Sequence, residues 1–254
     1  MVTFDEAAGE RGGGEIRLSH RLAALHVASV ALLVLVVLGS LMWVSAEHNR
    51  LARDGSERLV AGAMSAFRGK ADTLVRDYSI WDEAYEAAVD GDRAWLYSNI
   101  GNAVTDIGTL DLIVFLDRAT GANVGWRADS PPEGDTDLLP ATVLAPMVAA
   151  VAGRSRTRAA FAWVDGEVWA LAAHVVAPVT GPPAGLGNDD LPLQVHGLRL
   201  SPERLQSTAE SLLIDAGITV AGAAPPGAAS VPLLGSGGVE LARLVWSPPR
   251  PGAS

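Results

Sequence analysis

The chain has 254 residues, 49% of them apolar and 19% charged, with a formal net charge of −10 and no cysteine. Such a composition excludes a disordered chain, and one lysine (Lys70) with scattered arginines excludes a nucleic-acid partner, which needs clustered cations. The lack of cysteine excludes disulfides, zinc ribbons, iron–sulfur ligation and cysteine nucleophiles together.

Residues 1–21, with Gly12-Gly13-Gly14, read as a short flexible cytoplasmic tail. From Leu22 to Ala46 no side chain carries a permanent charge, and Val30–Val37 reads V-A-L-L-V-L-V-V. As a helix this stretch measures ~37 Å, enough to cross a ~30 Å hydrocarbon layer with some tilt. Trp43 fits an interfacial aromatic and Arg21 the entrance. The alternatives are a buried helix of a soluble protein, and a signal peptide cleaved after Val44-Ser45-Ala46, although the apolar run is long for one. Charge does not settle orientation, since Arg11, Arg17 and Arg21 precede the span and Arg50, Arg53 and Arg58 follow it.

Residues 47–90 contain no proline, and Val60, Met64, Phe67, Ala71, Leu74, Tyr78, Trp81, Tyr85 and Ala88 recur at spacings of four and three. That stripe predicts one long amphipathic helix, stopped by Asp90-Gly91-Asp92. Gly55, Gly62 and Gly69 recur every seven residues. Each glycine costs a helix ~1 kcal/mol, so three in register point to close approach of a second copy, a homodimer through the long helix; the other reading is chance recurrence in an Ala/Gly-rich stretch. On the predicted helix Tyr78, Trp81, Asp82 and Tyr85 share a face, with Trp95 and Asn99 shortly after. A stripe of aromatics and one carboxylate is costly to bury without polar partners. Two roles fit these six residues: fastening the helix to a sheet, with Asp82 bonded to backbone amides, or direct contact with a small-molecule ligand.

Beyond the helix, residues 110–126 read as a hairpin around Asp117–Gly121, and 138–152 as a helix interrupted by Pro146. Residues 159–164 and 167–176 flank Asp165-Gly166, a strong hairpin turn. Residues 194–200 read as a strand, and 202–213 as a helix with Ser201 as N-cap and Pro202 at N1. Residues 218–221 and 238–246 read as final strands, 180–192 and 222–230 as loops, and Gly235-Ser236-Gly237-Gly238 as a turn. Hairpins mixed with helices give an α+β class. Arg154, Arg156 and Arg158 alternate, which suits a charged sheet edge or an anion-binding rim. His20, His26, His48, His174 and His196 show no metal-ligand spacing, so no metal or cofactor is expected. No nucleophile-elbow pattern supports catalysis.

Asp77, Trp81-Asp82, Tyr85, Asp90, Trp95 and Asn99 together resemble the CHASE domain of the fourth class, a bacterial extracytoplasmic sensory module. The likeness continues through Leu110–Asp117, Thr120-Gly121 and Leu198–Leu205 to Leu244–Gly252, covering about residues 47–252. The resemblance implies a PAS/Cache-like fold, a long helix lying against a mainly antiparallel sheet, set beyond the inner membrane between two spans. It also implies a cytoplasmic output such as a cyclic di-GMP cyclase, a phosphodiesterase or a kinase. The sequence stops at Ser254 without a second span or output module, so the output is expected on a missing part or a partner chain. A stand-alone anchored envelope protein is the alternative, and an exported hydrolase a distant third.

Overall fold

The computed structural model describes residues 12–156, 159–214 and 217–249. They divide into two units, the first comprising the residues up to Arg53 together with Pro249 and the second Asp54–Pro248. Helix α1, Gly12–Ser79, begins inside the stretch expected as a flexible tail; residues 1–11 of that tail lie outside the described residues. In the first unit the apolar side chains from Leu22 to Val44 are exposed, and this is the one helix among the described residues long and apolar enough to cross a membrane.

The second unit is α+β, as the alternation of turns and apolar runs predicts. A five-stranded antiparallel sheet has the order β2-β1-β5-β4-β3, with β1 Leu112–Leu116, β2 Asn123–Arg127, β3 Ala160–Val164, β4 Glu167–Val175 and β5 Leu193–Arg199. Both of its faces are covered, so the central strands are apolar runs rather than alternating patterns. Successive side chains point to opposite faces. Ile113, Phe115, Ala172, Val176 and Leu198 therefore meet Ala71 and Val75 of α1. Leu112, Val114, Leu171, Ala173 and Val195 meet Leu144, Met147 and Val151 of α5 (Ala141–Val151).

A three-stranded sheet, β6-β8-β7, carries the second core. Its strands are β6 Thr219–Ala221, β7 Ala229–Leu234 and β8 Glu240–Trp246. Leu233, Leu244 and Trp246 bury against Val60 and Met64 of α1 and Leu205 and Ala209 of α6 (Pro202–Ser211). One face of α1 thus serves both sheets, and Trp246 Nε1 donates to Ser56 Oγ (3.2 Å) on the same helix.

The long helix does not continue to Asp90 as its periodicity predicts. It ends at Ser79, and α2 runs Asp82–Asp90. Between them Ile80 pairs in parallel with Ala177: Trp81 N–H donates to the Ala177 carbonyl (3.1 Å), and Ala177 N–H to the Ser79 carbonyl (3.0 Å). The end of β4 thus takes up backbone groups that a continuous helix would pair internally. Helix α2 closes at Gly91, whose φ of 69° is the left-handed conformation a glycine cap favours. The chain then turns through α3 (Arg93–Leu96), a π-helical turn (Tyr97–Gly101) and α4 (Asn102–Thr105). Gly101 is required there, because an added Cβ would meet the Trp126 indole at 2.8 Å.

The expected hairpins form. In the second, Asp165 (φ 51°) and Gly166 (φ 80°) adopt the paired positive angles of a two-residue turn. Strand β7, partly in the expected 222–230 loop, was not predicted. It contains Pro232, which an edge strand tolerates because its outward N–H needs no partner. Of the three alternating arginines, Arg156 pairs with Asp72 on α1 (3.1 Å), Arg154 is exposed, and Arg158 lies outside the described residues.

Candidate functional site

The six residues singled out in the sequence gather where α1, α2 and α3 meet the five-stranded sheet, but not as one helical stripe, since the break at Ile80 separates Tyr78 from the rest. Tyr78 reaches from α1 to the His196 ring, with centroids 5.7 Å apart. Trp81 and Trp95 pack edge-to-face at 5.0 Å, an arrangement favoured by the ring quadrupoles. Tyr85 is half-buried and touches the cores on both faces of the sheet. Asp82 and Asn99 are exposed. One Asp82 oxygen accepts from Val179 N–H (2.7 Å), holding the loop after β4 to the first turn of α2. Asn99 Nδ2 donates to the Trp95 carbonyl one helical turn back (2.9 Å). The four aromatics thus make a half-buried seam with a carboxylate at its rim.

Beneath the seam lies a buried polar chain absent from the sequence reading. Ser79 Oγ donates to Gln194 Oε1 (2.9 Å), and Gln194 Nε2 lies 2.8 Å from His196 Nε2. Ser79 Oγ also contacts the Val75 carbonyl. All three side chains are fully buried, and His196 Nδ1 has no partner among the described residues. Taking an imidazolium out of water without a counter-charge is costly, and burial pulls the His196 pKa down to about 3. His174, opposite Gln194 on β4, is also lowered, by burial first. Its Nδ1 lies 2.7 Å from the Val175 carbonyl. Both imidazoles are neutral near pH 7, and they sit in the layer that α1 covers.

A second polar knot explains the Leu198–Leu205 junction. Arg204 of α6 makes a bidentate pair with Asp111 just before β1, Nη2 to Oδ1 being 3.1 Å. Arg199 N–H donates to the same carboxylate (2.8 Å), and Arg204 Nη1 donates to the Arg199 carbonyl (2.7 Å). Ser201 caps α6 by accepting from Arg204 N–H (3.3 Å), as its Ser-Pro sequence predicts. The Arg204 guanidinium also lies over the Phe67 ring of α1 at 5.9 Å. The Ser-Pro signal locates the cap; Asp111, 93 residues away, is supplied only by the fold. Among the described residues no three His, Asp or Glu side chains stand close enough to hold a metal ion.

An apolar N-terminal helix thus leads into a two-sheet α+β unit whose first helices meet the larger sheet along an aromatic seam. The CHASE4 domain model matches residues 63–218, more than half of the sequence, and the chain belongs to that family. Among solved structures it is similar to the periplasmic domain of Vibrio cholerae LuxQ, with 9% identity, 79% of this chain and 100% of that chain covered, and a TM-score of 0.44. It is also similar to the ligand-binding domain of the Pseudomonas aeruginosa PAO1 amino acid chemoreceptor PctC in complex with GABA, with 16% identity, 80% and 97% coverage, and a TM-score of 0.37. No curated protein matches the chain.

Proposed function

We propose that the chain is the ligand-sensing part of a bacterial receptor anchored in the inner membrane, with a PAS-like domain outside and a non-catalytic role. The observation that carries this reading is that a single helix, α1, supplies both the apolar stretch from Leu22 and the core residues Val60, Met64, Ala71 and Val75. A ligand that binds two arrangements of the sheet domain unequally shifts their populations, and a helix built into both cores carries the difference. Tyr78, Trp81, Asp82, Tyr85, Trp95 and Asn99 act at the joint in this reading. They hold the end of α1 to β4 and its following loop, and the exposed Asp82 carboxylate beside half-buried indoles is open to a ligand amine or hydroxyl.

Gly55, Gly62 and Gly69 have open space where a Cβ would stand, which suits close approach of α1 from a second copy. The output is a cytoplasmic cyclase, phosphodiesterase or kinase, on a further segment or a partner chain. The chain has no cysteine, so single cysteines at 55, 62 and 69 give a clean test of pairing. Disulfide cross-linking in membranes is expected at one or more of them, and no dimer at any position contradicts pairing. Sensing is tested by thermal unfolding of the full chain in lipid nanodiscs with amino acids, carboxylates, polyamines, sugars and uncharged aromatics. A ligand at about 100 times its Kd adds ~2.7 kcal/mol and raises the midpoint measurably; no rise with any class counts against the reading.

A further inference from the structure

A cavity of about 250 Å³ opens between α5, the edge strand β3 and the turn joining β7 to β8. Val143, Pro146 and Met147 of α5 form one wall, Ala162 and Trp163 of β3 another, and Leu241 of β8 the third. No charged side chain lines it among the described residues. A charge entering such a space would find no counter-charge to offset its lost hydration.

Its polar features are the hydroxyls of Thr142 and Ser236 and backbone groups left open by the fold. Pro146 lies inside α5 and has no N–H to return to the Thr142 carbonyl four residues earlier. Thr142 and Pro146 both line the cavity. Strand β3 is an edge of its sheet. The two-residue turn at Asp165-Gly166 makes Val164 and Glu167 a hydrogen-bonded pair, and such pairs alternate along the hairpin. The N–H and C=O of Phe161 and Trp163 therefore point away from β4, toward the free edge, and both residues line the cavity. Trp163 is 42% exposed at the lip, its Nε1 donating to the Leu241 carbonyl (3.4 Å).

We infer that this cavity is a binding site for an uncharged, mainly apolar small molecule carrying one hydroxyl or N–H donor, which the Thr142 carbonyl accepts. A cavity of ~150 Å³ holds benzene, so this one takes a ligand of about ten non-hydrogen atoms. The assignment rests on the sensory reading above and adds, apart from the Asp82 rim, a second site for a molecule of this uncharged class.

The test uses the full chain in nanodiscs with 5-fluorotryptophan at its seven tryptophans, the Trp163 fluorine signal being assigned by Trp163→Phe. The probes are benzyl alcohol, toluene, benzoate and benzylammonium. Benzyl alcohol should shift the Trp163 signal saturably and bind several-fold more tightly than toluene, while the two ions leave that signal unmoved. Ala162→Leu and Ala150→Leu, each filling the cavity, should weaken benzyl alcohol binding at least tenfold; a variant counts only if its other six signals keep their positions. Pro146→Ala returns an N–H to Thr142 and should erase the preference over toluene. No saturable shift with benzyl alcohol, equal binding of the ions, or binding that survives a filled cavity would overturn the assignment. If a charged class raises the midpoint in the thermal experiment while Trp163 stays silent to neutral probes, the sensory reading stands and this cavity does not serve it.

Discussion

His196 sits fully buried between β1, β4 and α1, and its charge state should make the domain sensitive to mild acid. In the unfolded chain a histidine takes up a proton below about pH 6.5; in the folded chain His196 does so only near pH 3. Between those values the unfolded state binds more protons, so stability falls as pH falls, by about 1.4 kcal/mol per unit. The loss is ~2 kcal/mol between pH 7 and pH 5 and reaches ~4 kcal/mol near pH 3. His174, lowered in the same direction, adds to the slope. The carboxylates held below their ordinary range, Asp117 and Asp189 among them, act only as the pH nears that of a free carboxylate. The interval from pH 7 to 5 therefore isolates the imidazoles. The assay is urea unfolding of the full chain in mild detergent, followed by tryptophan fluorescence, for the wild type and for His196→Gln. The variant should start less stable, having lost the ring contact with Tyr78, but should lose ~2 kcal/mol less across the interval. Equal slopes for the two proteins, or a flat wild-type curve, would refute the reasoning.

Three further substitutions test individual joints by the same unfolding assay. Asp82→Ala removes the acceptor for Val179 N–H and should cost about 1 kcal/mol, with hydrogen exchange at Val179 rising in parallel. Arg204→Met breaks the bidentate pair with the partly exposed Asp111 and should cost about 1–3 kcal/mol, an effect that salt reproduces only in part. Gly101→Ala forces a Cβ against the Trp126 indole and should cost about 1–3 kcal/mol; a neutral result would mean that the π-helical turn shifts freely.

Local chemistry made much of the fold legible. The apolar run from Leu22, the Asp165-Gly166 turn and the Ser201-Pro202 cap are each written in adjacent residues, and each appears where expected. The α1–α2 break is not, because Ser79-Ile80-Trp81-Asp82 contains no glycine or proline; the helix stops there since Ala177, nearly a hundred residues later, competes for its backbone. Strand β7 was hidden by Pro232, whose cost vanishes only at a sheet edge. The aromatic seam was legible as a set of residues but not as a geometry. The chain from Ser79 through Gln194 to His196 joins residues more than a hundred positions apart, and single polar residues in apolar strands give no sign of which others they will meet.

The proposal that the sheet domain stands on the outer side of the membrane, opposite the N-terminal stretch, is tested most directly by thiol labelling in intact cells. The exposed turn after β1 accepts Ala119→Cys, and the N-terminal stretch accepts Ala7→Cys; no native cysteine competes. A membrane-impermeant maleimide should modify position 119 in intact cells and position 7 only after permeabilisation. Labelling of 119 only in broken cells would contradict the account.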